Sequence, residues 1–198
     1  MDKFTLTITR QFGSMGRTIA RKLAEELGIE FYDRDIVEEV SKHLNLPVSQ
    51  ISGSEEKANP WFWSRMFPLG TDEELIQNMI FDVQKDIILD LAKKSSCIIV
   101  GRCSDAILEN TENNVNIYIY APVSKRLENC VNRLEMEETE AKRTIIKVDK
   151  ARNAYHKKYA GFLPHDPAHK QLMIDSSFLG PEETALWIAE LVRRNFHI

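Results

Sequence analysis

Phe4-Thr5-Leu6-Thr7-Ile8-Thr9-Arg10-Gln11-Phe12-Gly13-Ser14-Met15-Gly16-Arg17-Thr18 is the stretch that decides the fold. Phe4, Leu6 and Ile8 alternate with threonines, a β-branched, period-2 run that predicts a strand. Gly13 and Gly16 punctuate a short loop. Beyond it Ile19, Leu23 and Leu27, with Ala20 and Ala24, recur at helical spacing, so a helix begins near Arg17. Strand, glycine loop and helix, with a cation and a hydroxyl in the first helical turn, is a layout that suits phosphate. Glycines let backbone N–H groups approach an anion, and the helix start adds partial positive charge. Gly16-Arg17-Thr18 stands where a phosphate loop carries Gly-Lys-Ser/Thr, with Thr18 poised for Mg²⁺. Gln11 falls where that pattern has its first glycine. The plainer alternative is an ordinary β-turn-α unit whose glycines serve the turn, with Arg17 paired to a carboxylate such as Glu30 or Asp33.

Around this stretch, 198 residues suit one domain with a proper core. Hydrophobic residues at 43% and charged residues at 28% describe a soluble globular chain. The net charge of −4 argues against a general nucleic-acid binder. No apolar run approaches the ~20 residues that span a bilayer, and the start lacks the basic-then-apolar layout of a signal peptide, so the expected location is the cytoplasm. Cys97, Cys103 and Cys130 form no CxxC pair, and Cys97 reads as buried packing. His165 and His169 have i, i+4 spacing, but Pro164 and Pro167 break any helix there, which argues against metal.

Along the chain, the first helix ends at Gly28, and Ile29–Tyr32 is a second strand. Asp33 follows it, placed both to cap the next helix and to meet a ligand at a strand's carboxyl end. Pro47 to Gly70 is irregular, with Trp61, Phe62, Trp63 and Phe67 between Pro60 and Pro68. Glu73–Lys94 is a long helix whose core stripe is Leu75, Ile76, Met79, Ile80, Val83, Ile87 and Leu91, with Gln84 beside it. Cys97–Val100 is a strand buried on both faces, ended by Gly101-Arg102, a pair suited either to bidentate phosphate binding or to a surface salt bridge. Val115–Ala121 and Leu172–Ile174 are further strands. A basic helix covers Glu137–Tyr159, and Pro181 opens the last one. Strands separated by helices throughout give an α/β parallel sheet.

Six pieces, in this order and spacing, resemble the nucleoside monophosphate kinases, most closely the cytidylate kinase-like proteins of bacteria. They are Arg10–Arg17, Phe31-Tyr32-Asp33, Val100-Gly101-Arg102, Ile119–Pro122, Val148–Arg152 and Leu172–Ser177. The resemblance implies a five-stranded parallel P-loop kinase fold in one domain. Its core is residues 1–35, 92–135 and 168–198, its acceptor-binding helical segment about 36–91, and its lid about 136–167. It implies that Gly13, Ser14, Met15, Gly16, Arg17 and Thr18 bind the phosphates of ATP, with Mg²⁺ on Thr18. Asp33, Arg34, Arg102 and Gln84 would face a nucleoside monophosphate, CMP or dCMP first, and Arg17, Arg152, Lys150 and Arg143 would supply catalytic charge. Small-molecule nucleotides are then the partners, with neither nucleic acid nor membrane among them. A homodimer is also allowed, with Trp61–Phe67 as a candidate contact. Two departures stand out: Val100 replaces the aspartate that usually holds Mg²⁺ waters, and Arg17 replaces the loop lysine. Val100 and Gln11 favour an alternative, a nucleotide-binding protein without turnover, whereas the dense lid cations favour an enzyme.

Overall fold

The computed structural model describes residues 3–46, 48, 51 and 73–198, and the Trp61–Phe67 aromatic segment lies outside the described residues. Five strands form one sheet: β1 (Thr5–Arg10), β2 (Glu30–Tyr32), β3 (Cys97–Val100), β4 (Asn114–Tyr120) and β5 (Leu172–Asp175). Every pairing is parallel and the order is β2-β3-β1-β4-β5. Parallel strands need crossovers, supplied by the helices α1 (Gly16–Leu27), α2 (Arg34–Leu44), α3 (Glu73–Lys94), α4 (Ser104–Ile107), α5 (Val123–Asn132) and α6 (Glu138–Ala160), while α7 (Ser176–Phe196) follows the last strand. The order reverses direction at β1, so the crevice where ligands gather in such sheets lies beyond the carboxyl ends of β1, β3 and β4.

The strand alternation sorts residues onto two unlike faces. Leu6, Ile8, Ile98, Val100, Ile117 and Ile119 are buried with Ile19, Leu23, Ile188 and Val192 of α1 and α7 in one apolar core. On the opposite face Cys97 and Ile99 of β3 join Ile36, Val40, Ile80 and Ile88 of α2 and α3. Beside them, β1 and β4 turn Thr7, Thr9, Asn116 and Tyr118 inward, all buried. Hydrogen bonds run through this polar layer: Thr7 Oγ1 donates to Asn116 Oδ1 at 2.6 Å, and Asn116 Nδ2 to the carbonyls of Asp105 and His169.

Local signals end the helices where expected. Gly28 caps α1 in the left-handed region and Gly161 caps α6. Gly180 (φ 77°, ψ 170°) interrupts α7, so that Pro181 starts its main body. In α3 the buried positions are Ile76, Ile80, Gln84 and Ile88, whereas Leu75 and Met79 are exposed. That helix carries apolar residues on several faces, so periodicity fixes the helix but not its inward side. The three cysteines are free and buried, and burial pushes the Cys97 thiol up to about 11, which keeps it protonated and inert. Among the described residues, no helix is long and apolar enough to cross a membrane.

Candidate functional site

The loop between β1 and α1 turns on two left-handed residues, Gly13 (φ 76°) and Met15 (φ 60°). Its carbonyls are tied back into the protein. The Gly13 carbonyl accepts from Asn129 Nδ2 at 2.9 Å and that of Ser14 from Ser176 Oγ at 2.7 Å. Ser14 Oγ donates to the Gln11 carbonyl at 2.9 Å. A Cβ at Gly13 would lie 2.8 Å from the Arg126 carbonyl, and one at Gly16 would lie 2.7 Å from Arg10 Cβ. Both glycines therefore let the loop lie against the protein. The first α1 backbone bond runs from Ile19 N to the Met15 carbonyl. The amides of Gly16, Arg17 and Thr18 before it have no acceptor among the described residues, a helix start open to an anion.

Asp33, at the end of β2, is buried and takes two cations: Arg17 Nε at 2.7 Å and Arg10 Nη2 at 3.9 Å. It occupies the cap position of α2 but makes no capping hydrogen bond. The two guanidinium groups claim its oxygens instead, a correction to the capping role expected of it. Because β3 lies between β1 and β2, the Arg10 side chain must cross the end of β3 to reach Asp33. It crosses over Gly101, where any Cβ would collide with its guanidinium.

A cavity of about 340 Å³ opens at these strand ends, under α6. Arg10, Arg102 and Arg152 all line it. Tyr118, Tyr120, Tyr155 and His165 give it an aromatic side, and Asp149 and Asn153 a polar one. Burial and then the Asp149 charge push the Tyr118 phenol up to about 12, so it stays a neutral donor. The α6 residues Asp149, Arg152, Asn153 and His156 sit one helical turn apart on the face turned to the cavity. Asp149 also grips the loop: it accepts from the Phe12 amide at 2.8 Å and pairs with Arg126 at 2.5 Å. Arg152 Nη1 donates to the Arg10 carbonyl at 3.3 Å.

Residues 5–178 match the cytidylate kinase-like family. The chain belongs to that family. It is 23% identical over 190 residues to a cytidylate kinase of Sulfolobus acidocaldarius, covering 93% of this chain and 92% of that one. Among solved structures, an uncharacterized protein from Eubacterium ventriosum superposes with a TM-score of 0.73 at 23% identity, covering 96% of this chain and 98% of the other. A shikimate kinase from Acinetobacter baumannii in complex with shikimate gives 0.54 at 15% identity, covering 98% and 94%. These likenesses carry the fold, a five-stranded parallel sheet of the P-loop kinase kind. Family membership makes the protein one of kinase type.

For this cytidylate kinase-like chain, the expected site residues separate into three groups. Arg102 and Arg152 meet at the cavity. Gln84 lies buried just behind it, its amide donating to the Arg102 carbonyl at 3.4 Å and to the Tyr155 hydroxyl at 3.1 Å. Gly13 to Thr18 and Asp33 form the neighbouring loop and its ion pair, outside the cavity lining, to which only Gln11 of the loop contributes. Lys150 and Arg143 are exposed on α6 and do not line the cavity. Arg34 opens α2, and its side chain lies outside the described residues. Sequence reasoning passed over Arg10, Asp149, Asn153, His156 and Tyr118. A polar stripe at i, i+3, i+4 and i+7 within Asp149–His156 was the available signal.

Proposed function

We propose that this protein transfers the γ-phosphoryl group of ATP to a nucleoside monophosphate, with CMP or dCMP as the first acceptors to try. The observation that carries this reading is the meeting of Arg10, Arg102 and Arg152 around one cavity beside a loop whose Gly16, Arg17 and Thr18 amides have no acceptor among the described residues. Phosphoryl transfer asks for little covalent help from a protein. It needs aligned reactants and positive charge around three equatorial oxygens. The Gly16–Thr18 amides take the donor's phosphate chain, and Arg17 adds its guanidinium once it leaves Asp33. Arg102 holds the acceptor phosphate, and Arg152, carried by the lid helix, bridges the two sides. The volume and aromatic wall suit a small ring-bearing anion.

Thr18 offers the hydroxyl for Mg²⁺, and Val100 brings no carboxylate to the end of β3. Among the described residues no three acidic, histidine or cysteine side chains cluster to hold a metal. The ion would then rest on Thr18, phosphate oxygens and water, the arrangement Mg²⁺ tolerates best. The same Val100, with Arg17 already paired to Asp33 at 2.7 Å, supports the second reading, a nucleotide-binding protein without turnover.

A coupled ADP-release assay with ATP, Mg²⁺ and a panel of nucleoside monophosphates separates the two. Turnover that depends on one monophosphate is expected. ATP binding with no ADP release from any acceptor would select the second reading. In either case Arg17→Ala should weaken ATP binding by at least about 1.5 kcal/mol, the low end for hydrogen bonds to charged groups. Equal ATP affinity in the variant would leave Arg17 as a structural partner of Asp33 alone.

A further inference from the structure

Gly101, Arg102 and Cys103 stand in the left-handed region in succession, at φ 74°, 60° and 53°. Glycine is at ease there, but arginine and cysteine are not, and such strain persists only where the surroundings over-determine it. Backbone bonds hold the turn at both ends: the Gly101 amide donates to the Ile8 carbonyl at 3.0 Å and the Ser104 amide to the Gly101 carbonyl at 3.0 Å. The Ala106 and Ile107 amides donate to the Cys103 carbonyl at 3.0 and 2.9 Å, while Gln84 donates to the Arg102 carbonyl. Two residues beyond Cys103, Asp105 is buried with a side chain of 0% exposure. Its carboxylate meets His156 Nε2 at 2.9 and 3.0 Å and Lys170 Nζ at 2.5 Å. His156 Nδ1 is 2.8 Å from the Phe162 carbonyl. A carbonyl and a carboxylate only accept, so the ring stands between two acceptors, one at each nitrogen.

Burial alone would raise the Asp105 carboxyl, but the His156 hydrogen bond and charge, with Lys170, hold it below its ordinary value. One buried carboxylate is thus held by two side chains from distant parts of the chain, and one of them, His156, also lines the cavity.

We propose that Asp105, His156 and Lys170 form a buried positioning triad that clamps the Gly101–Cys103 turn and thereby aims Arg102 at the acceptor anion. The triad joins three elements at one carboxylate two residues beyond the turn: α4 through Asp105, α6 through His156, and the segment leading into β5 through Lys170. The acceptor role rests on the kinase reading above. The clamp itself does not.

The test uses the full chain with Lys170→Met, His156→Gln and Asp105→Asn, and Lys170→Arg as the conservative control. Amide hydrogen exchange without ligand is the first readout. Exchange at Cys103 and Ser104 should rise at least tenfold in Lys170→Met, with Leu6 to Ile8 in β1 unchanged. In the ADP-release assay the CMP KM should rise at least fivefold while the ATP KM stays within twofold, and Lys170→Arg should restore most of the loss. Unchanged turn exchange in folded Lys170→Met overturns the clamp, as does an equal acceleration in β1, which would mean global loosening. A wild type that turns over no acceptor, combined with faster exchange at the turn alone, would sink the kinase reading and leave the clamp standing. Should Asp105→Asn fail to fold, Lys170→Met still carries the decision, because it keeps the Asp105–His156 pair.

Discussion

The two faces of one strand, β1, carry opposite tasks. Leu6 and Ile8 point into an apolar core against α1 and α7, where burial is the whole argument. Thr5, Thr7 and Thr9 point the other way, Thr7 and Thr9 into a layer in which buried polar groups find partners on β4 and the Pro164 segment. Stability rests on the first face, and the second supports a cavity with three arginines. The contrast teaches that a parallel sheet buried on both sides need not be apolar on both. A polar interior is tolerated where its groups find partners, as Thr7, Thr9 and Asn116 do, and it holds charged side chains that an apolar layer would expel.

The sharpest way to break this contrast is to cut into each face in turn. Leu6→Ala should cost about 2–5 kcal/mol of stability by leaving a cavity in the core. Thr7→Val should cost only about 1–3 kcal/mol, through an Asn116 that loses a partner. Denaturant unfolding measures both. A Thr7→Val cost equal to that of Leu6→Ala would mean that both faces serve stability alike.

The second comparison sets inward against outward cations on α6. Arg152→Ala should lower kcat by about tenfold or more, the equivalent of ~1.5 kcal/mol for a lost charge-assisted contact. Exposed Arg143→Ala should leave kcat within about twofold, since a solvated cation loses little. Equal losses would show that the whole basic helix acts as a field, not through the residues lining the cavity.

A smaller effect concerns acid. The Asp105 carboxyl is held below its ordinary value in the fold, so it contributes stability that is present above the unfolded value of about 3.8. That stability is lost as pH falls through the lower, folded value. Wild type should therefore lose stability across this acid range, and a folded Asp105→Asn variant should show a shallower acid limb in unfolding curves taken from pH 5 downward. The same acid slope in both would assign the loss to other carboxylates.

Most of the fold was legible because it depends on local patterns. The Thr-Leu-Thr-Ile alternation, the continuous run of Cys97–Val100, Gly28 and the Gly180-Pro181 break each act over a few residues and acted as read. Of the candidate site, Arg102 stood out because it follows a glycine at a strand end and it does line the cavity, whereas Arg17 lies outside the lining and makes the pair with Asp33 that the plainer alternative gave it. Arg10 was hidden because its meaning depends on strand order: nothing local says that β3 intervenes between β1 and β2. The inward side of α3 was hidden for a related reason, since Gln84 is buried by partners that lie far along the chain, Arg102 and Tyr155. Asp105 gave no local signal either, because His156 and Lys170 approach it from elements 51 and 65 residues away.

Arg10 laid across Gly101 makes two distant positions share one alphabet. While an arginine at 10 reaches toward Asp33, any side chain at 101 must push its guanidinium aside. A side chain at 101 would swing the arm off Asp33, and it would also strain a backbone at φ 74° whatever stands at residue 10. Position 101 is therefore held twice over, and a relative with alanine there should have lost the contact between the end of its first strand and the position of Asp33.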